Sequence, residues 1–156
     1  MFERYPETSR RALFVAKAIA LAAGAQSIDA EDLLAGALDA WSDAGSFRDE
    51  VFRRIGLVGP VKLPRPTDSD IPFSAVVKHL LNDAMMRADR LGHHRIRPEH
   101  LLLALLDDQT CAASGLLHDV GLKAEMLIKS LARHSLEDDG PLPYDSYLSI
   151  GDQKAN

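Results

Sequence analysis

The chain repeats itself, and that constrains its fold more than any single motif does. The segment "GAQSIDAEDLLAGAL", residues 24–38, lies over "GHHRIRPEHLLLALL", residues 92–106. Gly24 meets Gly92, Ile28 meets Ile96 and Glu31 meets Glu99 in this register, and Leu33, Leu34 and Leu38 meet Leu101, Leu102 and Leu106. Upstream, Tyr5 meets Phe73, Ala16 meets Ala84 and Ala20 meets Ala88. After a short insertion in the first copy, "RRIGL" at 53–57 meets "HDVGL" at 118–122. Helix patterning alone would align leucines. It would not also keep glycines, isoleucines and glutamates in step.

Each copy reads as helices. Ala12, Ala16, Ile19, Ala20 and Ala23 recur at helical spacing, with Gly24 as the C-terminal stop. Asp29 is placed to cap a second helix that buries Leu33, Leu34, Ala37, Leu38 and Trp41. "FRDEVFRRIG" reads as a short third helix ending at Gly56. The second copy predicts helices over 73–92, 98–108 and 112–120, with Pro98 at a first helical position where its missing N–H costs nothing. A last helix is expected over 123–133. The stretch "GLVGPVKLPRPTDSDIPF" between the copies carries four prolines and reads as a linker, and the polar end from residue 135 reads as a flexible tail. One unit of two or three helices buries little surface alone, so the two units should share one core. The expectation is a single all-α domain over 1–134 with pseudo-twofold symmetry: repeat one 1–57, linker 58–72, repeat two 73–134. Leu101, Leu102, Leu105 and Leu106 should lie in its core beside Leu33, Leu34 and Leu38.

Composition excludes several functions. The net charge is −5, without the basic footprint of a nucleic-acid binder. Cys111 is the single cysteine, so neither an internal disulfide nor a cysteine metal cluster can form. No apolar run is long enough to cross a bilayer, and the first residues, "MFERYPETSRRALF", lack a signal-peptide core. These features predict a cytoplasmic protein.

An aromatic at the helix start, then alanines, then "G…I…EHLLLALL", then a short helix closing on "VGL", all present twice, resembles the Clp N-terminal domain. This is the double-repeat module at the front of the Clp unfoldases. The string "PEHLLLALLDD" carries the likeness most clearly, and "AEDLLAGALDA" is its divergent twin. The resemblance spans about residues 2–133 and implies a non-catalytic binding module that recruits adaptors or degradation substrates. In the unfoldases this domain precedes ATPase modules, yet no G-x-x-x-x-G-K-[ST] phosphate loop occurs in this sequence. The chain is therefore expected to be a stand-alone protein of this type or a piece of a longer one, with Met1 reading as a native start.

In one branch of that family each repeat binds phosphorylated arginine on proteins marked for degradation, with the glutamate of the "EH" string on the guanidinium. That implies Glu31 and Glu99 here. The physical case is that a helix start offers free N–H groups to phosphate while a carboxylate accepts from the guanidinium. The competing reading is an acid that only complements the helix dipole. Ser74 follows Phe73 and can stand in for the family's phosphate-binding threonine, whereas Pro6, after Tyr5, has neither hydroxyl nor N–H. Asp32 replaces the family's histidine and adds negative charge. Glu99 with Ser74 is thus the expected better site and Glu31 the weaker. His93, His94 and His100 lack metal-ligand spacing, so His100 reads as a capping or packing residue, with no metal and no cofactor expected. Cys111 sits among acids that disfavour a thiolate, and reads as a helix-start residue without chemistry.

The leading expectation is a protein-interaction domain of the Clp proteolysis and unfoldase system, whose partner is a Clp subunit, an adaptor or a degradation substrate, with no nucleic acid and no membrane involved. The alternative is a small helical ligand-binding protein or enzyme that has reused the fold. A helix-turn-helix DNA binder is disfavoured by the acidic balance and the lack of a basic recognition helix.

Overall fold

A computed structural model describes residues 2–57, 61–63 and 70–138. Seven helices form among the described residues: α1 (Glu7–Ala22), α2 (Ala30–Ala40), α3 (Ser46–Arg54), α4 (Ala75–Arg90), α5 (Pro98–Asp107), α6 (Ala112–Asp119) and α7 (Ala124–Asp138). The fold is all-α, and the helices fall in the register of the repeat. α1 and α4 end alike. Ala25 N–H reaches back to Ala20 O around Gly24, and His93 N–H to Ala88 O around Gly92. Both glycines sit at positive φ, 70° and 73°, where any Cβ is strained.

The two copies are threaded through each other. Ile28 N–H donates to Pro72 O (2.8 Å), and Ser74 N–H donates to Ile28 O (2.9 Å), so the loop of copy one pairs with the lead-in of copy two. The reciprocal crossing has Ile96 N–H donating to Arg4 O (2.9 Å). Its second bond cannot form from the backbone, because Pro6 stands where Ser74 stands. Ser9 supplies the missing donor, its buried hydroxyl giving 2.6 Å to Ile96 O. These crossings join the two units into one domain.

α2 and α5 pack on each other at the centre, flanked by α1 and α4. All seven leucines expected in the core are buried there. The α1–α2 contact is closest at Gly36, where a Cβ would stand 2.1 Å from the carbonyl oxygen of Ala12. The repeat places Ala104 at the matching position in α5. Gly36→Ala should therefore force the first pair apart and cost about 3 kcal/mol in urea unfolding.

α7 runs past the expected end to Asp138, because no helix breaker intervenes before Gly140. It packs on α5, with Leu127 and Leu131 buried. Most of the expected linker, and the expected tail from residue 139, lie outside the described residues. Val61 is described, and it packs against the Val15, Ile19 and Phe52 cluster.

Candidate functional site

The three expected ligand residues do not form one pocket. Glu31, in the first turn of α2, is exposed. It lines an open pocket of about 580 Å³ whose walls include Ile19, Ile55, Leu57 and Val61, with Asp32 and Lys62 beside it. Glu99, its twin in α5, is 0% exposed. The difference comes from α7: Ser130 Oγ lies 2.9 Å from Glu99 Oε2 and covers it. Arg97 Nε stands 3.4 Å from Glu99 Oε1. Of the two glutamates, Glu31 is the exposed one, whereas the expectation ranked Glu99 first.

Ser74 also sits elsewhere than expected. It caps α4, its Oγ accepting from Val77 N–H (3.2 Å), and it faces Asp29 Oδ1 at 3.3 Å. Asp29 is the N-cap of α2. The crossing therefore sets the hydroxyl of copy two beside the helix start of copy one.

His100 and Asp32 occupy the same repeat position and do the same work. Asp32 Oδ2 accepts from Asp29 N–H (3.0 Å), and His100 Nδ1 accepts from Arg97 N–H (2.8 Å). Each is the third-residue half of a capping box. With Nδ1 accepting, the His100 proton sits on Nε2 and points at His93 Nδ1, 3.0 Å away. Both ring nitrogens of His100 are therefore engaged. Burial, then the nearby His93, Arg97 and Arg4, pushes its pKa down to about 3. Cys111 occupies the N-cap position of α6 without a capping side-chain bond, and its thiol donates instead to Asp108 O.

An open groove lies between the repeats, as expected for a protein-binding module, though its lining residues were not named from the sequence. It has a volume of about 890 Å³ and lies where the lead-ins of the two copies meet. Phe2, Leu13, Phe14, Ile71 and Phe73 make it apolar. Phe2 stands edge-on to Tyr5 and Phe73, at 5.0 and 6.2 Å. Arg10, Lys17 and Lys78 ring the groove against two acids, Glu3 and Asp70, and Lys17 pairs with Asp70 at 3.1 Å. Phe14 is 56% exposed. The signal in the sequence was a phenylalanine off the alanine stripe of α1, beside a cation one turn on.

Comparison with known proteins fits this architecture. Residues 72–145 match the family described as the Clp repeat (R) N-terminal domain. No curated protein matches the chain. Among solved structures, the N-terminal domain of the caseinolytic protease associated chaperone ClpD from Arabidopsis thaliana is 22% identical, with a TM-score of 0.63 over 85% of this chain and 96% of that one. A chain from structural investigations of a malarial protein secretion system is 24% identical, with a TM-score of 0.62 over 83% and 93%. The Hsp104 N-terminal domain from Candida albicans is 17% identical, with a TM-score of 0.59 over 88% and 94%. At these identities the structures speak to the fold. Residues 72–145 thus carry the signature of the Clp repeat N-terminal domain family, and the chain has the fold of the Clp N-terminal domains across both repeats.

Proposed function

We propose that the chain is a non-catalytic protein-interaction domain of the Clp unfoldase system, acting in the cytoplasm to recruit adaptors or degradation substrates. The observation that carries this reading is the apolar groove between the repeats. Exposed aromatic surface of that extent is costly to leave in water unless a partner covers it. The cationic excess on its rim fits an apolar segment flanked by acids. The chain's own residues would contribute shape and charge there, with no bond made or broken. Casein, an unfolded chain rich in such segments, serves as probe. Phe14→Glu should weaken casein binding at least tenfold by fluorescence anisotropy, about 1.4 kcal/mol or more. Unfolding free energy should stay within about 0.5 kcal/mol, because Phe14 is largely exposed. Tight binding by Phe14→Glu would refute the groove as the docking surface.

The finer reading, carried by the family resemblance and by the exposure of Glu31, is phosphoarginine recognition at the start of α2. Glu31 would take the guanidinium, and the helix start with Ser74 the phosphate. Glu31→Ala should then lower affinity for a phosphoarginine peptide roughly tenfold in calorimetry, since a charge-assisted hydrogen bond contributes about 1.5–3 kcal/mol. Equal heats from wild type, Glu31→Ala and an unmodified arginine peptide would reject it.

A further inference from the structure

Residues 139–156, which follow α7 outside the described residues, combine two features that the groove between the repeats answers. The first is apolar. Leu142, Tyr144, Tyr147, Leu148 and Ile150 fall within nine residues and include two of the chain's three tyrosines. A segment that stays in water is ordinarily poor in aromatic and large aliphatic residues. Four of the five, Leu142, Tyr144, Leu148 and Ile150, share the even positions, so in extended form they line one edge. Pro141 and Pro143 disfavour helix in the residues before them. The second feature is charge: Asp139, Asp145 and Asp152 punctuate the stretch against one lysine, Lys154.

The groove presents the complement. Phe14 is exposed on its wall, and Phe2, Leu13, Ile71 and Phe73 are only half-buried. On the rim Lys17 is paired with Asp70, whereas Lys78 is exposed and makes no ion pair among the described residues. Chain length permits the contact. The twelve residues from Asp138 to Ile150 span up to about 40 Å when extended, against a radius of gyration of about 14 Å for a domain of this length. Being on the same chain, the segment meets the groove at an effective concentration on the order of 1 mM.

We propose that residues 142–150 occupy the inter-repeat groove of their own chain, their even-numbered apolar side chains against its aromatic wall and the neighbouring aspartates toward its cationic rim. The segment is then a built-in competitor that a partner must displace. The inference rests on the groove being the docking surface, and adds the occupant that covers it when no partner is bound. A segment with an intrinsic Kd of about 0.1 mM would, at that effective concentration, lower a partner's apparent affinity about tenfold.

The test keeps the full chain and compares wild type with Tyr144→Ser/Leu148→Ser, which leaves every core residue in place. Without casein, amide signals at residues 10–17 and 70–73 should differ between the two, and equally so after dilution. Casein affinity of the variant should rise about tenfold in fluorescence anisotropy. A synthetic peptide of residues 139–156 should displace casein from the variant at about 0.1 mM. Unchanged groove signals and unchanged casein affinity in the variant would overturn the proposal; if Phe14→Glu still loses casein, the docking surface itself stands. Groove differences that fade on dilution would put the segment of a second copy there and overturn the intramolecular form. Weaker casein binding by the variant would make the segment part of the docking surface rather than its competitor, and equally overturn it. Groove signals that respond to the paired serine substitutions, in a chain whose casein binding ignores Phe14→Glu, would support the occupant and refute the groove as the partner surface.

Discussion

Acidification from about pH 7 to pH 4 should cost the fold about 3 kcal/mol through His100 alone. Unfolded, this histidine takes up its proton near the ordinary value of 6.5; folded, it does so only near 3. Between those values the unfolded chain holds the extra proton, so stability is complete above about pH 6.5 and falls as pH drops toward 3. The steepest loss is about 1.4 kcal/mol per pH unit, the value for one proton. The added proton must go to Nδ1, where it removes the acceptor from Arg97 N–H and sets N–H against N–H. His100→Asn keeps a short acceptor, as Asp32 does in the first copy, but cannot titrate. In urea unfolding between pH 6.5 and 4.5, wild type should lose stability more steeply than His100→Asn by about 1 kcal/mol per unit. Parallel slopes would mean that the burial of His100 carries no protonation cost.

Truncation of Leu102 should cost about 2–5 kcal/mol. The side chain is fully buried in α5, the helix that α2, α4, α6 and α7 all pack on. Its removal leaves a cavity in the shared core, where neither copy can collapse without disturbing the other. Urea unfolding of Leu102→Ala should remain a single transition with a lowered midpoint, because the crossings at Ile28 and Ile96 tie the copies together. Two separated transitions would indicate independent halves.

The repeat made the helices, their glycine stops and the leucine core legible, since each depends on local spacing and on a register stated twice. The exchange of lead-ins was not legible. Ile28 pairs with Pro72 and Ser74, and Ile96 with Arg4, across distances in sequence that no local pattern encodes. That exchange moved Ser74 away from Glu99 and toward Asp29. The capping role of His100 could be read, because Asp32 at the same repeat position is also a helix-start acceptor. The burial of Glu99 could not, because it depends on Ser130, from a helix whose register the first copy does not repeat. Sequence alone makes Glu31 and Glu99 equivalent; packing makes one a surface group and the other a buried one.

The direct test of the interaction-domain account is backbone amide shift mapping of the full chain titrated with casein. The account predicts perturbations concentrated at residues 2–3, 10–17 and 70–73, on the walls of the inter-repeat groove. They should disappear in Phe14→Glu. No perturbation at saturating casein, or shifts centred on α3 and α6 away from the groove, would contradict it.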